Sequence, residues 1–313
     1  NWILTGRFDP LSETGHYAYP GHDGNNYAHT AGSYGIVVDD EFSGGSISGL
    51  SVGGGATDFE VEFIELTRIG FAGMVMKTDD VGDTTMENVR VHDLYIHDTG
   101  SEGVYFGSTQ SQPQHKIMGL QFYNNRVLRA GTELAQMGQI GGGSEIHHNV
   151  FAMGALDWKD PFQPWQDNAS QLAPRQGSVT FHHNIVIGGG ESMINLHPVE
   201  APGDVYSPGD LVHYHDNYFS HGRKSAAYIG KFSNGHTTYR FEDNVFREIV
   251  FSYDEINPGE APPAYLFGVS GNQTDSIEPI GEPFEGRGAG KVGAYLVERF
   301  PGRVDRSLLG EPL

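Results

Sequence analysis

Cysteine is absent from this chain of 313 residues, which excludes a disulfide framework and thiolate chemistry but leaves the compartment open. Long apolar runs are missing too. No stretch approaches the roughly 20 continuous apolar residues that a spanning helix needs, so membrane insertion is not expected. The opening NWILTGRFDP has neither a basic start nor a long apolar run, and it begins without Met, as a trimmed mature form or an excised domain would. Basic residues are few: 19 Lys and Arg stand against 40 Asp and Glu, a formal charge of −21, which argues against nucleic acid or an anionic lipid surface as a partner. Such an acidic surface serves solubility or salt adaptation, or holds calcium. No window keeps the i, i+3, i+4, i+7 pattern of a long helix, and no GxxxxGK[ST] segment marks a nucleotide site.

What is present is a repeated phrase. Aligned on asparagine, it reads LQFYNNRV at Asn125, SEIHHNVF at Asn149, VTFHHNIV at Asn184, VHYHDNYF at Asn217 and YRFEDNVF at Asn244. Two earlier copies are aligned with an acid at that position, Asp93 in VRVHDLYI and Glu65 in VEFIELTR. A fixed phrase with variable spacing predicts a stacked structural unit whose loops differ in length. The units alternate apolar and polar residues, favour Val, Ile, Phe and Tyr, and end in Gly or Asn, as strands do. A second apolar run follows each copy after a turn: GMVMK, GVYFG, ELAQMG, SMINLH, AAYIGKF and AYLFGV. Each coil therefore supplies at least two strands to parallel sheets.

An asparagine recurring at one turn can donate to and accept from its counterparts one coil up and down, and so satisfy buried backbone that no ladder reaches. Five of them at a rung spacing of roughly 4.8 Å make a ladder about 19 Å long. The paired histidines, His147 with His148 and His182 with His183, are read as structural. Neighbours on a strand face opposite ways, so HH is not expected to clamp a metal, while His147, His182 and His215 are expected to line one face.

The HHN, HDN and EDN phrases, the asparagine ladder and the glycine-bearing turns resemble the right-handed parallel β-helix of the pectate-lyase-like superfamily, over roughly residues 35 to 270. The WIDH of a pectate lyase and the serial NTD, DD, GHG and RIK motifs of a polygalacturonase do not occur as such. The expected fold is all-β, a right-handed parallel β-helix with an Asn ladder and long loops on one side: residues 1–35 as cap or opening rungs, 36–270 as the helix, 271–313 as a C-terminal cap.

Function is expected where copies diverge and loops swell. The largest departure, residues 152–178, holds Asp157, Trp158, Lys159, Asp160, Gln163, Trp165, Gln166, Asp167, Asn168, Gln171 and Arg175. Indole faces pack on pyranose rings, amides and acids satisfy hydroxyls, and an Arg fork holds a carboxylate. By alternation, the outward positions of the second strand are Lys77, Tyr105, Gln136, Asn195, His197, Tyr228 and Lys231, a polar and aromatic stripe on which a linear polymer can lie.

Two chemistries suit such a groove. A uronate lyase needs the substrate carboxylate neutralised, a base and an acid; Arg175 is the candidate neutraliser, Lys159 or His197 the base, and Tyr228 a proton donor. Calcium is an alternative neutraliser on Asp157, Asp160 or Asp167, with Asp79, Asp80, Asp83 and Glu87 as a second, weaker calcium candidate. A glycoside hydrolase needs two carboxylates, for which Asp157, Asp160, Asp167 and Glu191 are candidates. A third class is a polysaccharide-binding or adhesin-type β-helix without turnover. The expectation is a secreted or periplasmic enzyme cleaving an extended, uronate-containing polysaccharide by β-elimination. Oligomeric state is not addressed by any of these features.

Overall fold

The computed structural model describes residues 1–7, 34–77, 85–107, 116–156, 168–173, 177–188, 192–196, 211–221, 225–229, 238–247, 255–256, 267–271 and 273–274. Among them every strand pairing is parallel and no helix occurs, so none is long and apolar enough to cross a membrane. The chain winds as a parallel β-helix. One turn of it runs through Ser144–His147, Val150–Ala152 and Asn168–Ala173, and each of these lies in a different sheet. We call the three main sheets I, II and III in that order; they hold nine, nine and eight strands, and a three-stranded fourth sheet joins III to I in the early coils.

The repeated phrase is therefore two strands bent around a corner. In SEIHHNVFA the first strand ends at His147 and the second begins at Val150. The residue before each asparagine takes a left-handed conformation, with φ of 54° at Asn124, 53° at His148, His183 and Asp216, and 54° at Asp243. Asn and Asp, and to a lesser degree His, tolerate that region, which explains the polar residue there. The corner turns the asparagine inward. Asn125, Asn149, Asn184, Asn217 and Asn244 are buried, and the amide Nδ2 of each of the first four donates to the Oδ1 of the next at 2.9–3.1 Å. The same Oδ1 atoms accept the backbone N–H of the asparagine one coil earlier, at 2.9–3.1 Å. Each Nδ2 also donates to a backbone carbonyl, for example Asn184 to Ile146 at 2.9 Å.

The ladder corrects the alignment of the two early copies by one residue. Leu94, not Asp93, stands opposite Asn125, whose Oδ1 accepts the Leu94 N–H at 2.9 Å. Register pairs Glu65 with Tyr95 and Phe59–Glu62 with Val89–His92, so Ile64 takes the equivalent inward place. Matching polarity had aligned the acids, but Asp93 occupies the left-handed corner, φ 53°. A second correction concerns AYLFGV: Phe267–Ser270 pairs with Thr238–Glu242 in sheet I, while sheet III ends at Glu255–Ile256.

Inside, the coils stack like on like. Phe122 on Phe151 and Phe219 on Phe246 have ring centroids 6.2 and 5.1 Å apart, and the large cluster runs from Val52 to Phe246. Burial of this apolar column, at about 25 cal/mol per Å2, is the main term holding the coils together.

Candidate functional site

Three of the positions that alternation predicts as outward, Tyr105, Gln136 and Asn195, share one register column of sheet III. Register aligns Val75, Tyr105, Gln136, Gln171, Asn195, Tyr228 and Glu255 in one column across seven coils. The neighbours Met74, Met76, Val104, Phe106, Met137, Ile194 and Leu196 belong to the core, which puts Val75, Tyr105, Gln136 and Asn195 on the outer face. Gln171 joins the column because Asn168–Ala173, read from sequence as part of one long loop, is a strand between Ala135–Gly138 and Ser192–Leu196. Sheet III is thus continuous where the sequence predicts a loop.

Gln136 and Asn195 are outward-facing yet only 5% and 6% exposed, and Tyr105 is half-buried. Lys77 donates to the Tyr105 hydroxyl at 3.0 Å, its ammonium 4.7 Å from the ring centroid. That pairs a cation with a phenol on the outer face.

Two carboxylates sit at the foot of the same sheet, and the sequence reading had passed over both. Glu102 and Glu133 occupy the same place in successive coils: Gly73 N donates to Glu102 O at 3.1 Å and Gly103 N to Glu133 O at 2.9 Å. The preceding hydroxyls, Ser101 and Thr132, are 3.4 Å apart. Gly103, which follows Glu102, leaves no room for a side chain, since a Cβ on it would lie 2.2 Å from Val127 Cγ1 and 2.5 Å from Leu134 O. Both glutamates are buried, 1% and 0% exposed. Burial raises the Glu102 carboxyl above the usual carboxylate range, opposed by a hydrogen bond from Ser101 and by the charge of Lys77. The signal was legible as GSEGVYFG and GTELAQMG, where a hydroxyl residue and a glutamate precede the apolar run in two successive copies.

The corner between sheets I and II forms a second cluster. His92, Tyr123, His147, His182 and His215 stack in one column with centroids 4.5–5.2 Å apart. The stacking expected for His147, His182 and His215 is present. The expectation that adjacent histidines point apart is not. His147 Nδ1 lies 3.0 Å from His148 Nδ1, and His182 Nδ1 2.9 Å from His183 Nδ1, because the left-handed corner residue breaks the alternation of a strand. At the next coil the pair becomes His215 and Asp216, Nδ1 to Oδ2 at 2.8 Å. Burial first, then the imidazoles around it, lower the pKa of His182 to about 3, so it is neutral at neutral pH.

His92, at the other end of the column, behaves in the opposite way. Burial opposes its charge, but carboxylates at 2.7 Å on each ring nitrogen, Asp93 and Glu60, outweigh that and raise its pKa to about 9. On the outer face of sheet II, Tyr95, Leu128, Val150, Ala152, Ile187 and Tyr218 form a second apolar cluster, and beside it Arg129 is forked onto Asp98 at 2.7 and 2.8 Å, with Asp98 also 2.7 Å from His97.

Of the sequence candidates, the structure brings Tyr105, Gln136 and Asn195 together on one face and places Gln171 and Tyr228 in the same register column. Asp157, Trp158, Lys159, Asp160, Gln163, Trp165, Gln166, Asp167, Arg175, Glu191, His197, Lys231, Asp79, Asp80 and Asp83 lie outside the described residues.

No protein-family model matches the chain, and no curated protein does. Among solved structures it is similar to one described as "Crystal structure of Agl-KA catalytic domain", at 12% identity and a TM-score of 0.28. That likeness covers 71% of this chain and 47% of the other, so the chain spans about half the length of the protein it matches. At that level it carries no argument about what the present chain does.

Proposed function

We propose that this chain is a carbohydrate-active enzyme that lays an extended polysaccharide along the outer face of sheet III and hydrolyses it with Glu102 and Glu133. The observation that supports this most is the pair of buried glutamates at equivalent places in adjacent coils, one with its pKa raised by burial and within reach of the charge of Lys77, which itself donates to Tyr105 of the outward column. A hydrolase needs one protonated carboxyl to give its proton to the leaving oxygen and one carboxylate to meet the anomeric carbon. Burial raises the pKa of Glu102 and so favours its protonated form, the form that a general acid uses, and Lys77 limits the rise. The step between coils, roughly 4.8 Å, is close to the roughly 5–5.5 Å between carboxyl groups in double displacement. In that mechanism Glu102 protonates the glycosidic oxygen as its bond to the anomeric carbon breaks, and Glu133 bonds that carbon. Water then releases the sugar, with Glu102 taking its proton.

A second reading, β-elimination on a uronate polymer, is favoured by one contact: the Lys77 ammonium against the Tyr105 hydroxyl at 3.0 Å. A cation to neutralise the uronate carboxylate and a phenol to move a proton are two of the parts that a lyase uses. Lys159, Arg175 and His197 remain the sequence candidates for the others, and calcium on Asp157, Asp160 or Asp167 the alternative neutraliser. Export to the cell exterior or periplasm is the setting that a polymer substrate implies.

The test is a panel of neutral and uronate polysaccharides digested with and without calcium, with reducing ends and ultraviolet absorbance read from the same tubes. Hydrolysis gives reducing ends alone. Elimination gives absorbance as well, and would replace the first reading by the second; silence in both against every polymer would leave binding without turnover.

A further inference from the structure

The histidine corner between sheets I and II offers chemistry that neither reading of the groove uses. It lies on the join of two sheets, whereas the stripe lies on the third. Three successive coils present facing pairs there: His147 with His148 at 3.0 Å, His182 with His183 at 2.9 Å, and His215 with Asp216 at 2.8 Å. The rings are stacked at 4.9–5.0 Å along the axis. Stacking holds each imidazole in place before any ligand arrives, so little side-chain entropy is left to lose.

The repetition breaks at one point. Where the corner position holds histidine in two coils, the third holds Asp216, and the break sets a carboxylate beside two imidazoles. One ligand atom each of His183, His215 and Asp216 lies within 4.8 Å of the others. All three keep some exposure, so an ion has a path in and room for water.

We propose that His183, His215 and Asp216 bind a divalent transition-metal ion, with zinc as the representative ion, completed by water. Two imidazoles and one carboxylate suit ions of zinc's class, while calcium and magnesium favour sites made of oxygen ligands. An ion drawn into the cluster replaces the facing contact of His215 with Asp216 by bonds to nitrogen and oxygen, after small side-chain rotations. His182 supports the ring of His183 from behind, through the 2.9 Å contact between their Nδ1 atoms. A second group of comparable spacing, Glu60, Glu62 and His92, is a poorer candidate. Both ring nitrogens of His92 already face carboxylates at 2.7 Å.

The test is calorimetric titration of the intact chain with zinc chloride and, separately, calcium chloride, together with the thermal midpoint in each. Asp216→Asn and His183→Asn both suit the left-handed corner, since Asn124 already occupies it two coils earlier than His183. One equivalent of zinc is expected to bind and raise the midpoint, with calcium giving neither effect. Each variant should weaken zinc binding by at least about tenfold while the metal-free midpoint stays near that of the parent. His148→Asn, in the same column but outside the three-residue set, should bind zinc as the parent does. The absence of zinc binding at millimolar concentration, or binding that survives both Asp216→Asn and His183→Asn, would overturn the proposal. So would equal loss in His148→Asn, which would mean diffuse chelation by the stack.

Discussion

Along the inside of the corner between sheets I and II, five consecutive coils carry the same residue, asparagine. Along sheet III, one register column across seven coils carries Val75, Tyr105, Gln136, Gln171, Asn195, Tyr228 and Glu255, with Val75, Tyr105, Gln136 and Asn195 on the outer face. Both are columns with one residue per coil, built by the same register. They differ in what the residue must satisfy. A ladder amide bonds its copies above and below, so any departure leaves a buried donor or acceptor in its neighbour without a partner. On sheet III the residue changes from coil to coil, as Val75, Tyr105 and Gln136 show, so no single side-chain pattern is repeated along that column. Uniformity marks the scaffold here, and the varied column is the face on which the proposed function lays its substrate.

The largest effect expected from breaking this contrast is on the proposed substrate face. Glu133→Gln should lower turnover about 10²- to 10⁴-fold, measured as initial rate on the polymer that the panel identifies, with circular dichroism unchanged. On the scaffold side, Asn184→Ala removes the amide that joins Asn149, Asn217 and Ile146. It should cost about 3 kcal/mol or more of unfolding free energy, read by denaturant titration. Gln136→Ala, on the stripe, should raise KM several-fold and leave the denaturant midpoint almost unmoved.

The smallest expected effect separates the two ends of the histidine column by pH. The folded pKa of His182, about 3, lies below its ordinary value of 6.5. The unfolded chain therefore binds the proton first, and stability falls as pH drops from about 6.5 toward 3. His92 has the opposite sign: its folded pKa is raised to about 9, so its contribution is present below 6.5 and is lost as pH rises through 9. His182→Phe should keep the ring stack and flatten the acid limb of a midpoint-versus-pH curve by a few degrees. An acid limb identical to that of the parent would mean that other groups set it.

Much of this architecture could be read from the sequence, because its rules are periodic. The asparagines at 125, 149, 184, 217 and 244 and the outward positions of Tyr105, Gln136 and Asn195 follow from an alternation of two and a repeated phrase. What escaped the reading lies where periodicity fails. At the corner, the left-handed residue turns His148 and His183 back toward their predecessors, which strand alternation forbids. Asp93 was matched to the ladder by polarity, although hydrophobicity places Leu94 there. Asn168–Ala173 was hidden by the long divergent segment before it, and its single inward leucine, Leu172, is a faint mark of a strand. Glu102 and Glu133 stand just before their strands, and the glycine that follows Glu102 leaves no room for a side chain against Val127.

The measurement that bears most directly on the division between scaffold and proposed substrate face is Glu102→Gln, assayed for turnover and for thermal midpoint in the same preparation. Burial raises the pKa of Glu102, so holding it as a carboxylate at neutral pH opposes folding, and the amide removes that opposition. Turnover should be lost while the midpoint at pH 7 is unchanged or higher. Turnover within a few-fold of the parent in a normally folded variant would contradict the account.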